Sequence, residues 1–291
     1  MKPAPFDYYD ASTVEETLSL LKQHGDEAKL LAGGQSLLPL LNMRLAKPAL
    51  LLDINRVPGL DYIRSENGHI AIGALTRHRT VELSPVLKEY CPIFCHSAQF
   101  VGDIQVRNRG TFGGSLAHAD PTAQFCALTY TLGGKIVARG PEGVRTIPIE
   151  DFFLGPLTTA LEPTEMIVEA QVPALPGPGW SVRGMQPRHG DFVIAGVAVV
   201  LDMENERCRE ARIGMYGVGP TPLRAREAEA KLQGQKLKDG LFAEAAATAA
   251  READPASDVQ ASAEYRREVL KWLTEWNLKN ARGRLAKGGT R

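Results

Sequence analysis

The pattern of apolar and polar positions divides the first 55 residues into alternating helices and strands. Apolar residues recur at helical spacing at Val14, Leu18 and Leu21, and Ser12, three residues before Glu15, predicts a capping box at the start of that helix. Gly25 stands where the helix would end. A strand, a second helix and a buried strand are predicted next, over residues 28–32, 37–45 and 49–54. This alternation predicts local α/β packing.

The rest of the chain carries more strand signals. Residues 62–64 and 69–73 flank Glu66-Asn67-Gly68, which is typical of a hairpin turn. Further strands are predicted over residues 135–138, 166–172, 180–185, 192–203 and 209–218. Helices are predicted around residues 80–83 and over 91–105, 225–232, 241–252 and 265–282. The proline- and glycine-rich stretch 173–179 predicts a linker.

Composition excludes several classes of protein. The chain has 291 residues, 44% of them apolar and 23% charged, which is typical of a folded globular protein rather than a disordered one. Its 34 basic and 34 acidic residues balance, so nucleic acid is disfavoured as a partner. No apolar stretch approaches the roughly 20 residues that a membrane span needs. The four cysteines form no disulfide framework and the N-terminus has no apolar signal region, so we expect a cytoplasmic location.

Two glycine pairs carry the chemical signal. Residues 32–36 read Ala-Gly-Gly-Gln-Ser and residues 111–115 read Thr-Phe-Gly-Gly-Ser. Glycine lets a ligand approach the backbone N–H groups, which can form a concave anion site beside a helix start, so two such loops could hold a diphosphate. Simple turns are the alternative. The phosphate-binding P-loop motif is absent from the sequence, and Gly217-x-Gly219 runs into Pro220, so a classical nicotinamide dehydrogenase is disfavoured.

Other potential ligands lack the spacing of a metal site. Cys91 and Cys95 lie one helical turn apart with no second pair nearby, which favours buried structural thiols. His118 and Asp120 supply too few ligands for a metal and are interpreted as shaping the second glycine loop. The other histidines form no ligand pattern. No catalytic or metal-binding residue is therefore predicted in this chain.

Two further groups of residues leave alternatives open. Arg107 and Arg109 precede the second glycine loop and could pair with a diphosphate, brace the fold or face a partner subunit. Trp272 and Trp276 share one face of the last predicted helix and are interpreted as core, with a partner-facing stripe as the alternative.

Specific motifs along almost the whole chain resemble those of a known family. They occur at residues 30–39, 72–74 and 107–121, with further matches at 6–8, 217–222 and 262–267. The sequence over 30–39 is LLAGGQSLLP and that over 107–121 is RNRGTFGGSLAHADP. With these residues the chain resembles the FAD-binding medium subunits of the molybdenum hydroxylases, the family of xanthine dehydrogenase and carbon monoxide dehydrogenase.

The resemblance implies an α+β fold: a two-lobed FAD-binding fold of the vanillyl-alcohol oxidase-like (PCMH) type plus an α+β C-terminal domain with a three-stranded sheet and helices. The implied division is residues 1–56 for the first FAD-binding lobe, 57–175 for the second lobe and 180–291 for the C-terminal domain. FAD would lie non-covalently between the lobes. The chain would bind the flavin, orient it and tune its electronic properties.

The resemblance also implies partners. A large subunit would carry the molybdenum cofactor and a small subunit two [2Fe-2S] clusters, in a dimer of heterotrimers. Electrons would pass from the clusters through FAD to an external acceptor. The substrate would be chosen by a different subunit. A membrane-spanning segment is not part of this expectation.

The cofactor-binding residues that the resemblance implies cluster in the two glycine loops and beyond them. They are Leu31, Ala32, Gly33, Gly34, Gln35, Ser36, Leu37, Thr111, Phe112, Gly113, Gly114, Ser115, Ala119, Asp120, Gln124, Ile167 and Phe192. Gln124 departs from the family, many members of which have an acidic residue there, but its amide can still form hydrogen bonds. Phe192 stands where relatives place Tyr or another apolar residue near the flavin ring, and is expected to limit access of the acceptor.

Two other functions remain open at this point. A stand-alone flavin oxidase of the same broad fold would need a general base near the ring, and its covalent form would link the flavin to His118. A nucleotide-binding scaffold whose glycine loops merely turn would hold no flavin at all.

Overall fold

A small parallel sheet forms the first part of the molecule. The computed structural model describes residues 2–175, 177 and 179–288. The elements in this part are β1 (Asp7–Asp10), α1 (Val14–His24), β2 (Ala28–Leu31), α2 (Leu37–Asn42) and β3 (Leu50–Asp53). The strand order is β1-β3-β2, with both pairs parallel. The predicted helix–strand alternation is therefore present.

The capping box of α1 lies one residue later than predicted. The hydroxyl of Thr13 accepts the N–H of Glu16 at 3.1 Å, and the Glu16 carboxylate accepts the N–H of Ser12 at 2.7 Å. The prediction of Ser12 and Glu15 was wrong because Thr13, not Ser12, is the residue with extended backbone directly before the first helical turn. Gly25 ends the helix as predicted, with a φ of 51°.

A five-stranded antiparallel sheet forms the second part, in the order β4-β5-β10-β6-β7. Asn67 and Gly68 have positive φ in the predicted hairpin turn between β4 and β5. Seven strands belong to this part: β4 (Ile63–Glu66), β5 (His69–Gly73), β6 (Lys135–Gly140), β7 (Gly143–Pro148), the small ladder β8 (Phe153–Gly155) and β9 (Thr158–Thr159), and β10 (Met166–Pro173). Its helices are α3 (His78–Leu83), α4 (Pro85–Tyr90), α5 (Pro92–Ala98), α6 (Ile104–Arg109), α7 (Phe112–His118) and α8 (Gln124–Leu132).

The single helix predicted over residues 91–105 was wrong, because the chain turns between α5 and α6. Gly102 has a φ of 54°, which a continuing helix cannot accommodate. Asp103 then starts α6 anew, since its carboxylate accepts the N–H of Val106 at 2.9 Å. The same turn brings residues 100–102 beside the cleft described below.

The third part is a four-stranded antiparallel sheet with three helices on one face. The three predicted strands are present, and a two-residue strand extends the sheet at its edge. The strands are β11 (Trp180–Met185), β12 (Ala195–Glu204), β13 (Arg207–Tyr216) and β14 (Leu223–Arg224). The helices are α9 (Arg226–Leu232), α10 (Asp239–Glu252) and α11 (Ala263–Gly288). No helix among the described residues is long and apolar enough to cross a membrane.

Strand β12 contributes to two separate hydrophobic cores. Ala198 and Val200 pack with the core of the five-stranded sheet and helices α3, α4, α5, α7 and α8. Val197, Val199 and Leu201 pack on the opposite face with helices α9–α11. Alternate residues of a strand face opposite sides of a sheet, so this continuous apolar run reflects burial of both faces. A third core lies under the small parallel sheet.

The predicted linker begins where β10 ends at Pro173. The N–H groups of Ala174 and Leu175 donate to the carbonyls of Gly68 and Tyr90, at 3.2 and 2.9 Å, so this end of the segment is anchored to the second part. Two residues of the prediction, 176 and 178, lie outside the described residues.

Candidate functional site

A cleft of about 690 Å³ runs between the parallel sheet, the five-stranded part and the edge of the third part. Residues 32–37 line it on one side, and residues 110–125 supply much of the other. Residues 190–193 from the third part also contribute. Its volume lies in the range of about 300–1,000 Å³ that cofactor pockets occupy.

The first glycine loop follows β2 and supplies backbone donors to this cleft. Gly34 has a φ of 70°, a left-handed conformation that favours glycine. Across the described part of the chain, the N–H groups of residues 33–37 have no hydrogen-bond acceptor. Gln35 turns its amide inward and donates to the Gly33 carbonyl at 2.9 Å. The loop therefore offers several backbone N–H groups to an anionic ligand.

The second glycine loop leads into α7. The Thr111 hydroxyl accepts the Gly114 N–H at 3.1 Å, and the N–H groups of Phe112 and Gly113 donate to the carbonyls of Thr76 and Ala74. Those backbone donors are consequently already used within the fold. What this loop adds to the cleft is hydroxyl groups, from Thr111 and Ser115, and the close approach that two glycines allow.

The two loops are in direct backbone contact at Gly33. An added Cβ there would lie 2.5 Å from the Arg109 carbonyl oxygen, 2.7 Å from the Gly110 Cα and 3.0 Å from the Thr111 nitrogen. All three neighbours are backbone atoms, which cannot rotate away. Glycine is therefore required at residue 33 by the packing of one loop on the other.

A pair of side chains also joins the loops. The Asn55 amide donates to the Ala32 carbonyl at 2.8 Å, and its oxygen accepts from Arg77 at 2.6 Å. Arg77 also donates to the Arg109 carbonyl, which precedes the second loop. Asn55 also donates hydrogen bonds to the Asp53 carboxylate. Burial raises the pKa of this carboxyl, but the hydrogen bonds from Asn55 and Tyr8 together lower it by more, so its pKa lies below the ordinary value.

His78, one of the histidines that form no ligand pattern in the sequence, lies beneath the second loop. The side chain is buried, and its Nε2 is 2.9 Å from the Thr111 carbonyl oxygen and 3.0 Å from the Ser115 hydroxyl oxygen. Its ring meets Phe125 edge-on, with centroids 5.0 Å apart. Burial lowers the pKa of His78 to about 4, so the imidazole is neutral at physiological pH.

The third part is fixed to the cleft by a buried arginine. Arg266 of α11 donates to the carbonyls of Ile194 and Gly217 and to the carboxylate of Asp258, the last at 2.7 Å. Ile194 directly follows the cleft residues 190–193, and the N–H of Gly217 donates to the Pro121 carbonyl at 2.9 Å. The motif at residues 262–267 therefore supports the cleft from a distance.

Most of the predicted site residues line the cleft. They are Ala32, Gly33, Gly34, Gln35, Ser36, Leu37, Thr111, Gly113, Gly114, Ser115, Asp120, Gln124, Ile167 and Phe192. Gln124 is buried and donates to the Phe100 carbonyl at 3.2 Å, so the residue that departs from the family still forms a hydrogen bond. Phe192 is 64% exposed at the cleft.

Three predicted residues are not part of the cleft lining. Leu31 packs behind the loop, where its side chain would meet a Cβ on Gly34 at 3.1 Å. The Phe112 ring is fully buried against other core aromatics. Ala119 is buried at the end of α7 in a left-handed conformation with a φ of 51°. Each of these side chains serves packing or chain direction.

The structure decides between the alternatives that the sequence left open for Arg107 and Trp272. Arg107 braces the fold, because it donates to Glu82 at 3.0 Å and to the Gly102 carbonyl at 2.9 Å. The predicted core position of Trp272 was wrong, since the side chain is 48% exposed and stacks on Trp276 at 6.3 Å. Helical spacing placed Trp272 on the buried face, but its ring lies beside the Arg183 guanidinium, 5.5 Å from the ring centroid, and remains half exposed.

The buried cysteines agree with the interpretation as structural thiols. All four are free and buried, and burial raises the pKa of the Cys91 and Cys126 thiols above their ordinary value. Cys95 donates to the Val81 carbonyl at 3.2 Å. Cys126 donates to the Ser115 carbonyl at 3.3 Å, so one of these packing thiols lies against the second glycine loop.

Comparison with known proteins agrees with this geometry. Residues 4–175 match the model described as the FAD binding domain in molybdopterin dehydrogenase, and residues 180–280 match the CO dehydrogenase flavoprotein C-terminal domain. The chain is 42% identical to the 6-hydroxypseudooxynicotine dehydrogenase complex subunit alpha of Paenarthrobacter nicotinovorans, covering 97% of this chain and 96% of that protein. It is 38% identical to the carbon monoxide dehydrogenase medium chain of Hydrogenophaga pseudoflava, covering 98% and 100%.

Solved structures resemble the whole chain. The carbon monoxide dehydrogenase from Hydrogenophaga pseudoflava that lacks the Mo-pyranopterin moiety matches with a TM-score of 0.95 at 39% identity, over 98% of this chain and 99% of that one. Quinoline 2-oxidoreductase from Pseudomonas putida 86 matches with a TM-score of 0.94 at 34% identity, over 98% and 100%. The unpaired N–H groups, the glycine contact and the cleft volume fit a dinucleotide cofactor. This protein therefore belongs to the family of FAD-binding medium subunits of the molybdenum hydroxylases.

Proposed function

We propose that this chain carries FAD in a heterotrimeric molybdenum hydroxylase, where electrons from the [2Fe-2S] clusters of a small subunit pass through the flavin to an external acceptor. A large subunit with the molybdenum cofactor would complete the enzyme. Support comes from the match over nearly the full length of medium chains such as that of Hydrogenophaga pseudoflava. Bound FAD supplies a group that can take up electrons one at a time and release them as a pair.

The chain's own residues bind and orient the cofactor in this proposal. The unpaired N–H groups of residues 33–37 hold its diphosphate from one side, and the hydroxyls of Thr111 and Ser115 from the other. Gln124 lines the same cleft and retains an amide for polar contact. Phe192, exposed at the cleft, restricts the approach of the acceptor.

The proposed organisation has three units: residues 1–56 and 57–175 as the two FAD-binding lobes, and residues 180–291 as the C-terminal domain. We further propose a dimer of heterotrimers in the cytoplasm. Names of relatives support the multi-subunit part of this proposal, since they include a dehydrogenase complex subunit and several medium chains. The substrate would be determined in the large subunit and not by this chain.

The observation that carries the proposal is the contact of two glycine loops beside unpaired backbone donors. Its test is a visible spectrum of the purified chain, followed by acid precipitation and mass analysis of the supernatant. We expect flavin absorption bands and free FAD in the supernatant. Flavin retained in the pellet would favour a covalent oxidase, for which His118 lines the cleft. A colourless chain that also fails to bind added FAD would refute the proposal.

The partners need a separate test. Co-expression with the genes of candidate large and small subunits, followed by affinity purification of this chain, should recover molybdenum and iron in the eluted complex. Rapid mixing with substrate should then reduce the flavin. Flavin that stays oxidised in a complete complex while the iron–sulfur clusters are reduced would contradict the proposed electron path.

A further inference from the structure

His78 is held in one protonation state by its surroundings. A carbonyl oxygen can only accept a hydrogen bond, so the 2.9 Å contact with Thr111 requires the proton on Nε2. Nδ1 of the neutral ring then carries a lone pair. This atom is buried and has no hydrogen-bond partner among the residues that the structure describes. A Cβ at Gly110 would lie only 2.8 Å from Nδ1, so the ring packs directly on the glycine backbone.

The charged form of the ring is disfavoured at this place. Burial lowers the pKa of His78 most, and the positive charges of Arg77 and Arg107 lower it further, against the opposing effect of the Thr111 hydrogen bond. A proton on Nδ1 would also meet no acceptor within the described residues. The neutral ring with Nε2–H is therefore the state that the fold selects.

This tautomer determines what the Ser115 hydroxyl can do. Its oxygen lies 3.0 Å from Nε2, which is protonated and has no lone pair, so the hydroxyl can only accept; the single Nε2–H is shared between this oxygen and the Thr111 carbonyl. The hydroxyl proton of Ser115 meets no acceptor in the described chain. Ser115 lines the cleft beside the first glycine loop. Its remaining hydrogen-bonding capacity is thus that of a donor, available to a ligand in the cleft.

We propose that His78 is a positioning residue that holds the Ser115 hydroxyl as a hydrogen-bond donor to a phosphate oxygen of the bound dinucleotide. The inference rests on the proposed function, since it assumes that FAD occupies the cleft. In this proposal His78, a buried residue of the cleft lining, acts on the phosphate indirectly. Its effect passes through Ser115 and through the Thr111 carbonyl at the start of α7.

The test is a double-mutant cycle on FAD affinity in the full-length chain, measured by flavin fluorescence quenching of apo-protein. Ser115→Ala and His78→Phe should each weaken FAD binding about tenfold, as expected for loss of one hydrogen bond to a charged group. The double variant should weaken it about tenfold as well, because both changes remove the same interaction. His78→Gln, whose amide can donate from a similar position, should restore most of the affinity. His69→Gln, at the far end of β5 from the cleft, is the matched control.

Two spectroscopic readouts separate positioning from general stability. Phosphorus NMR of bound FAD should show that Ser115→Ala and His78→Phe displace the same one of the two diphosphate resonances. Nitrogen NMR of ¹⁵N-histidine protein should show His78 protonated at Nε2 near pH 7, with the signal assigned by its loss in His78→Gln.

The outcomes distinguish the two proposals. If the parent chain does not bind FAD, the proposed function fails and this inference with it. If the parent binds FAD but the losses from Ser115→Ala and His78→Phe multiply, or the Nδ1–H tautomer is observed, the role of His78 alone is overturned. A shared phosphorus shift with non-additive affinities supports it.

Discussion

Gly33→Ala is the sharpest perturbation of the cleft. The new methyl group would lie 2.5 Å from the Arg109 carbonyl oxygen, whereas ordinary contact begins at 3.4 Å, so the loops must separate by about 0.9 Å. Overpacking of this kind costs about 1–3 kcal/mol. The same cost expressed in FAD binding is a loss of about 5- to 150-fold in affinity. The movement would displace the unpaired N–H groups of the first loop from the hydroxyls of the second.

The assay combines fluorescence titration with FAD and thermal unfolding of the apo-protein. We expect Gly33→Ala to lower both the affinity and the melting temperature. Gly240→Ala is the control, because a Cβ there meets nothing within 4 Å and the residue lies in α10, away from the cleft. A Gly33→Ala protein that binds FAD and melts like the parent would refute the loop contact and the reasoning built on it.

Three further changes test other parts of the site. The pKa of His78 is about 4 in the folded protein and about 6.5 in the unfolded chain, so the unfolded chain binds a proton first as the pH falls. The contribution of the neutral ring to the free energy of unfolding should be complete above pH 6.5 and fall by about 3 kcal/mol towards pH 4. Denaturant unfolding at pH 7 and pH 5 should show a larger decrease in this free energy for the parent than for His78→Gln. Arg77→Met removes the donor shared by Asn55 and the Arg109 carbonyl and should weaken FAD binding in titration while the far-ultraviolet circular dichroism stays unchanged. Arg266→Met leaves two carbonyls without their donor and should lower the free energy of unfolding by about 2–3 kcal/mol, measured with urea; an unchanged midpoint would contradict its anchoring role.

Apolar periodicity and the positions of glycines predicted the largest share of the fold and of the cleft. The apolar strand and the hairpin at Asn67-Gly68 are local signals, and both elements form, although the strand predicted over 192–203 spans Ala195–Glu204. The glycine loops were recognisable because φ > 0 and close backbone approach restrict the choice of residue. Local pattern was insufficient at residues 91–105, where Asp103 starts a new helix within an apolar stretch.

The contacts that complete the cleft could not be predicted from local pattern. His78 contacts Thr111 and Ser115, which follow it by 33 and 37 positions in the chain. The Asn55 amide donates to the carbonyl of Ala32, which precedes it by 23 positions. The partners of His78 depend on how α3 and α7 meet in space. The position of Phe112 within a glycine motif likewise gave no sign that its apolar ring is buried in the core.

Strand β12 joins the hydrophobic cores of the two regions that the family matches divide near residue 180. Ala198 and Val200 complete the core of the FAD-binding part, while Val199 belongs to the core on the other face of the same strand. A fragment that ends before residue 180 would expose the apolar surface these residues cover. During synthesis on the ribosome the core of the FAD-binding part therefore stays incomplete until β12 has emerged. A chimera of two relatives joined near residue 180 must keep the packing between Ala198, Val200 and the core that they complete.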